Sequence, residues 1–273
     1  PLPLRQKLKQ LPLPKQPVQK PKLPLRHKPA KQTFATNKKG HVFAGMPFLD
    51  PKTCICLLVY SYTRLLFMVP VQFITHATSR YSYIEGARLA LRGGCRWVQL
   101  RMKEAGDAEA EAAAREVQAL CKEQGATFII DDRVELAKKV QADGVHLGKH
   151  DMPVAEARQL LGQEFIIGGT ANTLEEVLAL KQAGADYVGV GPFRFTETKK
   201  NLAPILGLDG YAAIVKGLQE ARVRIPLCAI GGIRLADVPD LIDAGVSGIA
   251  VSSAILGADD PEEMMRRFLE ADR

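Results

Sequence analysis

The sequence predicts an α/β fold, a closed (β/α)8 barrel over residues 68–273, behind an N-terminal extension. Three observations predict it. From Val69 onward, short apolar runs alternate with amphipathic stretches of helical character, and few residues are left over. The runs number eight, and several of the stretches between them end in Gly, the usual left-handed helix cap. The runs are also near-continuously apolar, as in parallel strands covered by helices. An open doubly wound sheet is the alternative. Eight complete strand–helix units in about 200 residues favour closure, because a barrel needs one helix after each strand.

The elements follow in order. Strands are expected at 71–75 (VQFIT), 96–101 (RWVQLR), 127–131 (TFIID), 143–147 (DGVHL), 165–169 (FIIGG), 186–190 (DYVGV), 226–230 (PLCAI) and 247–251 (SGIAV). Helical stretches include 83–94, 107–125, 173–184 and 235–245, each with apolar residues at helical spacing and polar residues between. In such a barrel the chemistry lies just beyond the carboxyl ends of the strands.

The extension, residues 1–67, is different in kind. It holds 13 Lys and Arg against a single acid, Asp50, whereas residues 68–273 hold 24 basic and 29 acidic side chains. The net charge of +7 therefore belongs to the extension, and the barrel is mildly acidic. Eight of the first forty residues are Pro, interleaved with Lys, Gln and Leu, a composition that cannot bury enough apolar surface to fold. The extension is read as a disordered, solvated tail. It has no interleaved aromatics of the kind that stack on nucleic acid, so no nucleic-acid partner is expected. The apolar segment 54–74 is interrupted by Arg64, and the uncharged part before it is too short to span a bilayer. No membrane partner is expected, and the functional chain is expected to start near Met68. Five scattered cysteines without metal-type spacing read as reduced thiols of a cytoplasmic protein.

At the strand ends, polar residues gather where a buried sheet should have none. After the second strand, Gln99, Arg101 and Lys103 alternate and so point to one side of the chain. An Arg fork and a Lys point charge together suit a multiply charged anion. Asp131 and Asp132 follow the third strand and Asp151 the fourth. Hard carboxylate oxygens from neighbouring strands suit Mg2+, which is held by one or two carboxylates with water and phosphate oxygens. Each Asp could instead be a helix N-cap, and Asp151, two residues before Pro153, is the strongest case for that. His146, among apolar neighbours, reads as a packed or hydrogen-bonded core histidine. Thr170 follows the fifth strand, and the long segment GPFRFTETKKN after the sixth offers Thr196, Thr198 and Lys199. Gly231 and Gly232 after the seventh strand, with Ser252 and Ser253 after the eighth, form a second candidate anion site. Two anion-binding regions imply two phosphorylated substrates, or one with two phosphates.

The motifs QLRMK, FIIDDRVELA, DGVHLGKHD, ADYVGVGPFRFTETKKN, IPLCAIGGI and GVSGIAVSSAI, in this order, resemble the thiamine phosphate synthase family along essentially all of 69–270. The resemblance implies a TIM barrel that joins a hydroxymethylpyrimidine diphosphate to a thiazole phosphate and releases diphosphate. It implies that Gln99, Arg101 and Lys103 hold the pyrimidine diphosphate, that Asp132 and Asp151 bind Mg2+, and that Thr170 and Lys199 complete this half. Thr196, Thr198, Gly232, Ser252 and Ser253 would bind the thiazole phosphate. Arg101, Lys103 and Lys199 would act directly on the leaving group. Four positions depart from the family's common pattern: Asp131 stands where Asn is usual, Lys149 for Gln, Thr170 for Ser and Asn172 for His. Asp131, counted among the substrate-binding residues, and Lys149 both change charge. Related thiazole tautomerases share the fold and use a His where this chain has Asn172. A non-catalytic barrel that binds phosphorylated ligands is the reading from a different functional class.

Overall fold

The computed structural model describes residues 71–195 and 204–271. The whole extension, with the boundary expected near Met68, lies outside the described residues, as do Thr196, Thr198 and Lys199. Eight parallel strands close into a barrel in sequence order: β1 Val71–Ile74, β2 Trp97–Leu100, β3 Thr127–Asp131, β4 Gly144–Leu147, β5 Ile166–Ala171, β6 Tyr187–Val190, β7 Leu227–Ile230 and β8 Gly248–Val251. β8 returns to pair with β1, bringing Val251 opposite Phe73.

The helices cover the outside: α1 Tyr83–Arg92, α2 Asp107–Gln124, α3 Val134–Val140, α4 Val154–Leu161, α5 Leu174–Ala183, α6 Gly207–Ala221, α7 Val238–Asp243, α8 Ser253–Leu256 and α9 Pro261–Leu269. Their starts carry local signals. Ser82 and Glu85 form a reciprocal capping box, and Thr173 and Asp260 accept the third backbone N–H of α5 and α9. Gly125 and Gly184 are the left-handed caps expected of α2 and α5. α3 and α6 end just as sharply on Gln141 and Arg222, at φ 55° and 57°, with no glycine to announce it.

Alternation along each strand divides the apolar residues into two layers. One set, including Phe73, Val98, Phe128, Val145, Ile167, Val188, Ala229 and Ile249, packs under the helices. The other set fills the barrel interior: Ile74, Trp97, Ile166, Tyr187, Cys228, Ile230 and Ala250. Gln72, Gln99, Asp131 and His146 are buried in phase with this inner set. Gly168 makes room for it. A Cβ there would lie 2.2 Å from Cζ of Tyr187, whose ring is held edge-on to Trp97 at a centroid distance of 4.9 Å.

The amino ends of the strands show a repeated device. Asp143, Asp186 and Ser247, each just before an even-numbered strand, accept the backbone N–H of Phe128, Ile167 and Leu227 on the preceding odd-numbered strand. These bonds satisfy donors at the end of the barrel opposite the polar rim. Cys95, Cys121 and Cys228 are buried free thiols, raised by burial to about 11, about 12 and about 12 respectively. Among the described residues, no helix is long and apolar enough to cross a membrane.

Candidate active site

The carboxyl ends of β2, β3 and β4 bring five of the expected residues together. Gln99 lies inside the barrel and donates to Gln72 Oε1 at 3.3 Å. β2 stops at Leu100, and the backbone N–H of Arg101 is held by Thr75 Oγ1 at 3.0 Å, which fixes how that arginine leaves the strand. Arg101 Nε lies 3.4 Å from Asp131 Oδ2. Lys103 Nζ lies 2.6 Å from Asp132 Oδ2 and 3.9 Å from Asp131 Oδ2.

Asp132 adopts a left-handed backbone, φ 65°, which Asp tolerates better than most residues. Its N–H bonds to the carbonyl of His146 on β4, so the turn is anchored to the neighbouring strand. Arg133 braces it from outside, bonding Asp107 at 2.6 Å and the carbonyls of Ala105 and Met102 in the β2–α2 connection. Asp151 reaches back from beyond β4. Its Oδ2 accepts from Gly148 N at 2.6 Å, and its carboxyl hydrogen-bonds that of Asp132. α4 begins at Val154 without a side-chain cap bond, so Asp151 does not act as its N-cap.

The electrostatics of this corner are unbalanced. Burial first, and then the Asp132 charge, raise the Asp131 carboxyl to about 7 against the opposing charges of Lys103 and Arg101. Burial and the contact with Asp151 also raise Asp132. For Asp151, burial is outweighed by the hydrogen bonds from Asp132 and Gly148, and its carboxyl falls below the usual range. Asp131 Oδ2 and Asp132 Oδ1 are buried without a hydrogen-bond partner. Such atoms are costly unless something satisfies them, and a hard cation would. Among the described residues no group of three or more His, Cys, Asp or Glu side chains forms a protein-only metal cage. Mg2+ does not need one, since water and phosphate oxygens complete its shell.

The β5 rim is tied to the barrel interior. Thr170 Oγ1 is 3.0 Å from His146 Nε2, and His146 Nδ1 is 3.0 Å from the Tyr187 hydroxyl. Gln72 Nε2 donates to the same hydroxyl at 3.2 Å. His146 is thus a hydrogen-bonded interior histidine, as its apolar sequence context predicts. Asn172 donates to the carbonyl of Gly191, and its N–H bonds Glu176, which also pairs with Lys149 at 2.5 Å.

On the far side of the mouth, Gly231 and Gly232 follow β7 at φ 99° and 69°. A Cβ on Gly232 would lie 2.5 Å from Arg194 Cγ, and the Gly232 carbonyl accepts from Arg194 Nη1 at 2.9 Å. Arg194 in turn forms a two-pronged pair with Asp237. Ser252 and Ser253 follow β8, where the Ser252 hydroxyl donates to Ile74 O at 2.5 Å and lies 2.7 Å from His76 Nδ1. Sequence reasoning missed His76, Gln72, Tyr187, Arg133 and Arg194. His76 and Gln72 sit outside the quoted motifs, Tyr187 lies inside a strand, and Arg133 and Arg194 are motif residues whose partners, in the β2–α2 connection and at Gly232 and Asp237, only the fold brings near. A cavity of about 600 Å³ bounded by Gly125, Thr127, Asp143 and Ile166 opens at the opposite, amino end of the barrel, away from these residues.

Residues 71–255 match the family model described as thiamine monophosphate synthase. The thiamine-phosphate synthase of Bacteroides fragilis is 60% identical over 202 residues, covering 74% of this chain and 99% of that protein. The enzyme of the same name from Flavobacterium psychrophilum is 45% identical, covering 72% and 96%. Among solved structures, thiamine phosphate pyrophosphorylase from Pyrococcus furiosus matches with a TM-score of 0.67 and 36% identity, over 75% of this chain and 95% of that one. A closed parallel barrel whose mouth gathers Arg101, Lys103, Asp131, Asp132 and Asp151, with this likeness across its whole length, belongs to the thiamine monophosphate synthase family.

Proposed function

We propose that this barrel is a Mg2+-dependent transferase that condenses 4-amino-2-methyl-5-hydroxymethylpyrimidine diphosphate with thiazole phosphate, giving thiamine phosphate and diphosphate. The observation that carries the reading is the β2–β3–β4 corner. Two cations, Arg101 and Lys103, stand against three carboxylates, two of which keep a buried oxygen unbonded. That combination suits a diphosphate bridged to a metal better than either ligand alone. Asp132 and Asp151 would hold the ion, which when bound would neutralise charge on the leaving diphosphate.

The chain's own groups account for the rest. Breaking the bond between the pyrimidine methylene carbon and the diphosphate oxygen sends the electron pair onto diphosphate, where Arg101 and Lys103 offset the growing charge. Gln99, fixed by Gln72, orients the pyrimidine. Thr170, fixed by His146, lies on the same rim. The thiazole nitrogen lone pair then forms the new bond to the methylene carbon. No side chain need remove a proton, so the step asks of the mouth only charge and position. Lys199, Thr196 and Thr198 are assigned to the same reaction on the family resemblance. Asn172 speaks against a tautomerase, because it cannot titrate and its amide is spent on Gly191. Free buried thiols suit a reducing cytoplasm.

The test is incubation of the purified full chain with both substrates and Mg2+. Thiamine phosphate and diphosphate should appear in equal amounts, and chelation should stop their formation. Absence of both products from a folded protein would overturn the reading.

A further inference from the structure

β1 leaves the barrel through Thr75 and His76, in a segment, THATSR, that carries no recognisable motif. The structure gives His76 a defined setting. It is partly buried at the mouth, beyond the strand that pairs with β8, and its Nδ1 lies 2.7 Å from Ser252 Oγ. Ser252 donates its hydroxyl proton to Ile74 O at 2.5 Å. A serine hydroxyl has one proton, so with that proton committed Ser252 can only accept from His76. Nδ1 therefore carries hydrogen, and Nε2 is the ring nitrogen left for a ligand. The same bond removes Ser252 as a donor to any phosphate.

We propose that His76 is a phosphate-binding residue of the thiazole-phosphate half of the mouth, donating from Nε2 as an imidazolium, with Ser252 as the strut that orients the ring. The inference rests on the function proposed above. Its surroundings favour a switchable cation. The charged group facing it is Arg101, from the end of β2, while β8 presents the neutral Ser252. Arg80, in the same connection, is bonded to the carbonyls of Ala258 and Asp259 and to the Tyr81 hydroxyl. Burial, with the Arg101 charge, holds the free imidazole below its ordinary value, so the ring is neutral near pH 7. A phosphate dianion reverses the local potential and favours the charged ring. Between the lowered midpoint of the free protein and the raised one of the complex, binding takes up a proton. Affinity is then greatest at low pH and falls as pH rises through the midpoint of the complex.

His76→Asn is the informative variant, since its amide can still donate to Ser252 but cannot titrate. In the full chain, the His76 ring signals, assigned by their loss in His76→Asn, are followed by NMR from about pH 5 to 9 with and without inorganic phosphate. Saturating phosphate should raise the His76 midpoint by about one unit or more. In turnover, His76→Asn should raise KM for thiazole phosphate about tenfold or more, as loss of a charge-assisted bond does, and leave KM for the pyrimidine diphosphate within about twofold. It should also flatten the pH dependence of the thiazole-phosphate KM to that of the substrate's own second ionisation, near about pH 6. A midpoint that phosphate does not move, or an unchanged thiazole-phosphate KM, overturns the inference. An inactive wild-type chain whose His76 still responds to phosphate would instead sink the proposed reaction and leave His76 as an anion-binding residue.

Discussion

Replacing Tyr187 by Phe deletes one oxygen from the middle of the interior network, and the structure sets what that should cost. The hydroxyl meets Gln72 Nε2 at 3.2 Å and His146 Nδ1 at 3.0 Å, and all three residues are at most 6% exposed. Water cannot easily replace it. Burial holds the phenol well above its ordinary pKa, so it is a protonated hydroxyl at every working pH. It accepts from Gln72 and shares one proton-mediated contact with His146 Nδ1. The other ring nitrogen, Nε2, meets the Thr170 hydroxyl at 3.0 Å, so the network runs from Gln72 to the β5 rim. A net hydrogen bond is worth about 1 kcal/mol, and each buried polar group left without its partner costs about 1–3 kcal/mol. The ring keeps its contact with Trp97. The sum is a loss of about 2–4 kcal/mol, which in a domain of this size lowers Tm by about 5–15 °C.

Thermal unfolding followed by circular dichroism reads the stability, and steady-state kinetics read the site. Tyr211→Phe is the matched control. Its hydroxyl donates to Val190 O at 2.5 Å, and removing it also deletes a buried bond, but on the outer side of the sheet. Both variants should melt early. Only Tyr187→Phe should raise KM for the pyrimidine diphosphate, because it alone frees Gln99 and Thr170 to reorient. A Tyr187→Phe protein melting within about 1 °C of the parent would refute the network's energetic role. Equal KM effects in both variants would refute its functional one.

Three further outcomes are expected. Asp132→Asn should raise the Mg2+ concentration needed for half-maximal rate. Asp151→Asn, which keeps an acceptor for Gly148 N, should lose activity that extra Mg2+ partly restores, and a normal Mg2+ response would remove Asp151 from the metal site. The Asp131 carboxyl, raised in the folded chain to about 7 from about 3.9 when unfolded, makes metal-free stability greatest at low pH and lost progressively as pH rises through about 7. Asp131→Asn should abolish that fall in a urea titration repeated across pH, and an unchanged slope would show that Asp131 is not its source. Gly168→Ala should destabilise the barrel by about 1–3 kcal/mol or more, since its methyl would lie 2.2 Å from Tyr187 Cζ, and a native Tm would mean the ring can move.

The barrel was legible because its signal is periodic. Each expected strand contains or overlaps an observed one, and the errors are at the ends. Asp143, Asp186 and Ser247 were counted into strands, yet they stand just before β4, β6 and β8 and cap a neighbouring strand's amide. That role is invisible in a linear sequence, because the donors lie 15 to 20 residues away. The abrupt ends of α3 and α6 at Gln141 and Arg222 escaped for the opposite reason: a local left-handed turn was present, but without the residue that usually marks it. Charged motif residues were legible as a group, since Arg101, Lys103 and the carboxylates follow consecutive strands and closure brings consecutive strands together. His76 and Ser252 are 176 residues apart and meet only because β8 closes on β1.

The same reasoning recasts two of the departures from the family pattern. Taken one by one, Lys149 adds a cation beside the metal corner and Asn172 removes a titratable group. In space they share one carboxylate: Glu176 pairs with Lys149 through Oε1 and accepts the Asn172 N–H through Oε2, while the Asn172 amide holds Gly191 at the end of β6. The Lys149 charge is therefore answered on α5 and is not simply added to the diphosphate site. Both side chains of the pair are about one-third exposed, so solvent screens the bond and its contribution to stability is small. Its structural effect is to link the β4–α4 and β5–α5 connections at the rim. Asp131 has no such relief. It meets Arg101 and Lys103 but keeps a buried oxygen without a hydrogen bond, so of the four departures it is the one that changes the charge of the reaction mouth itself.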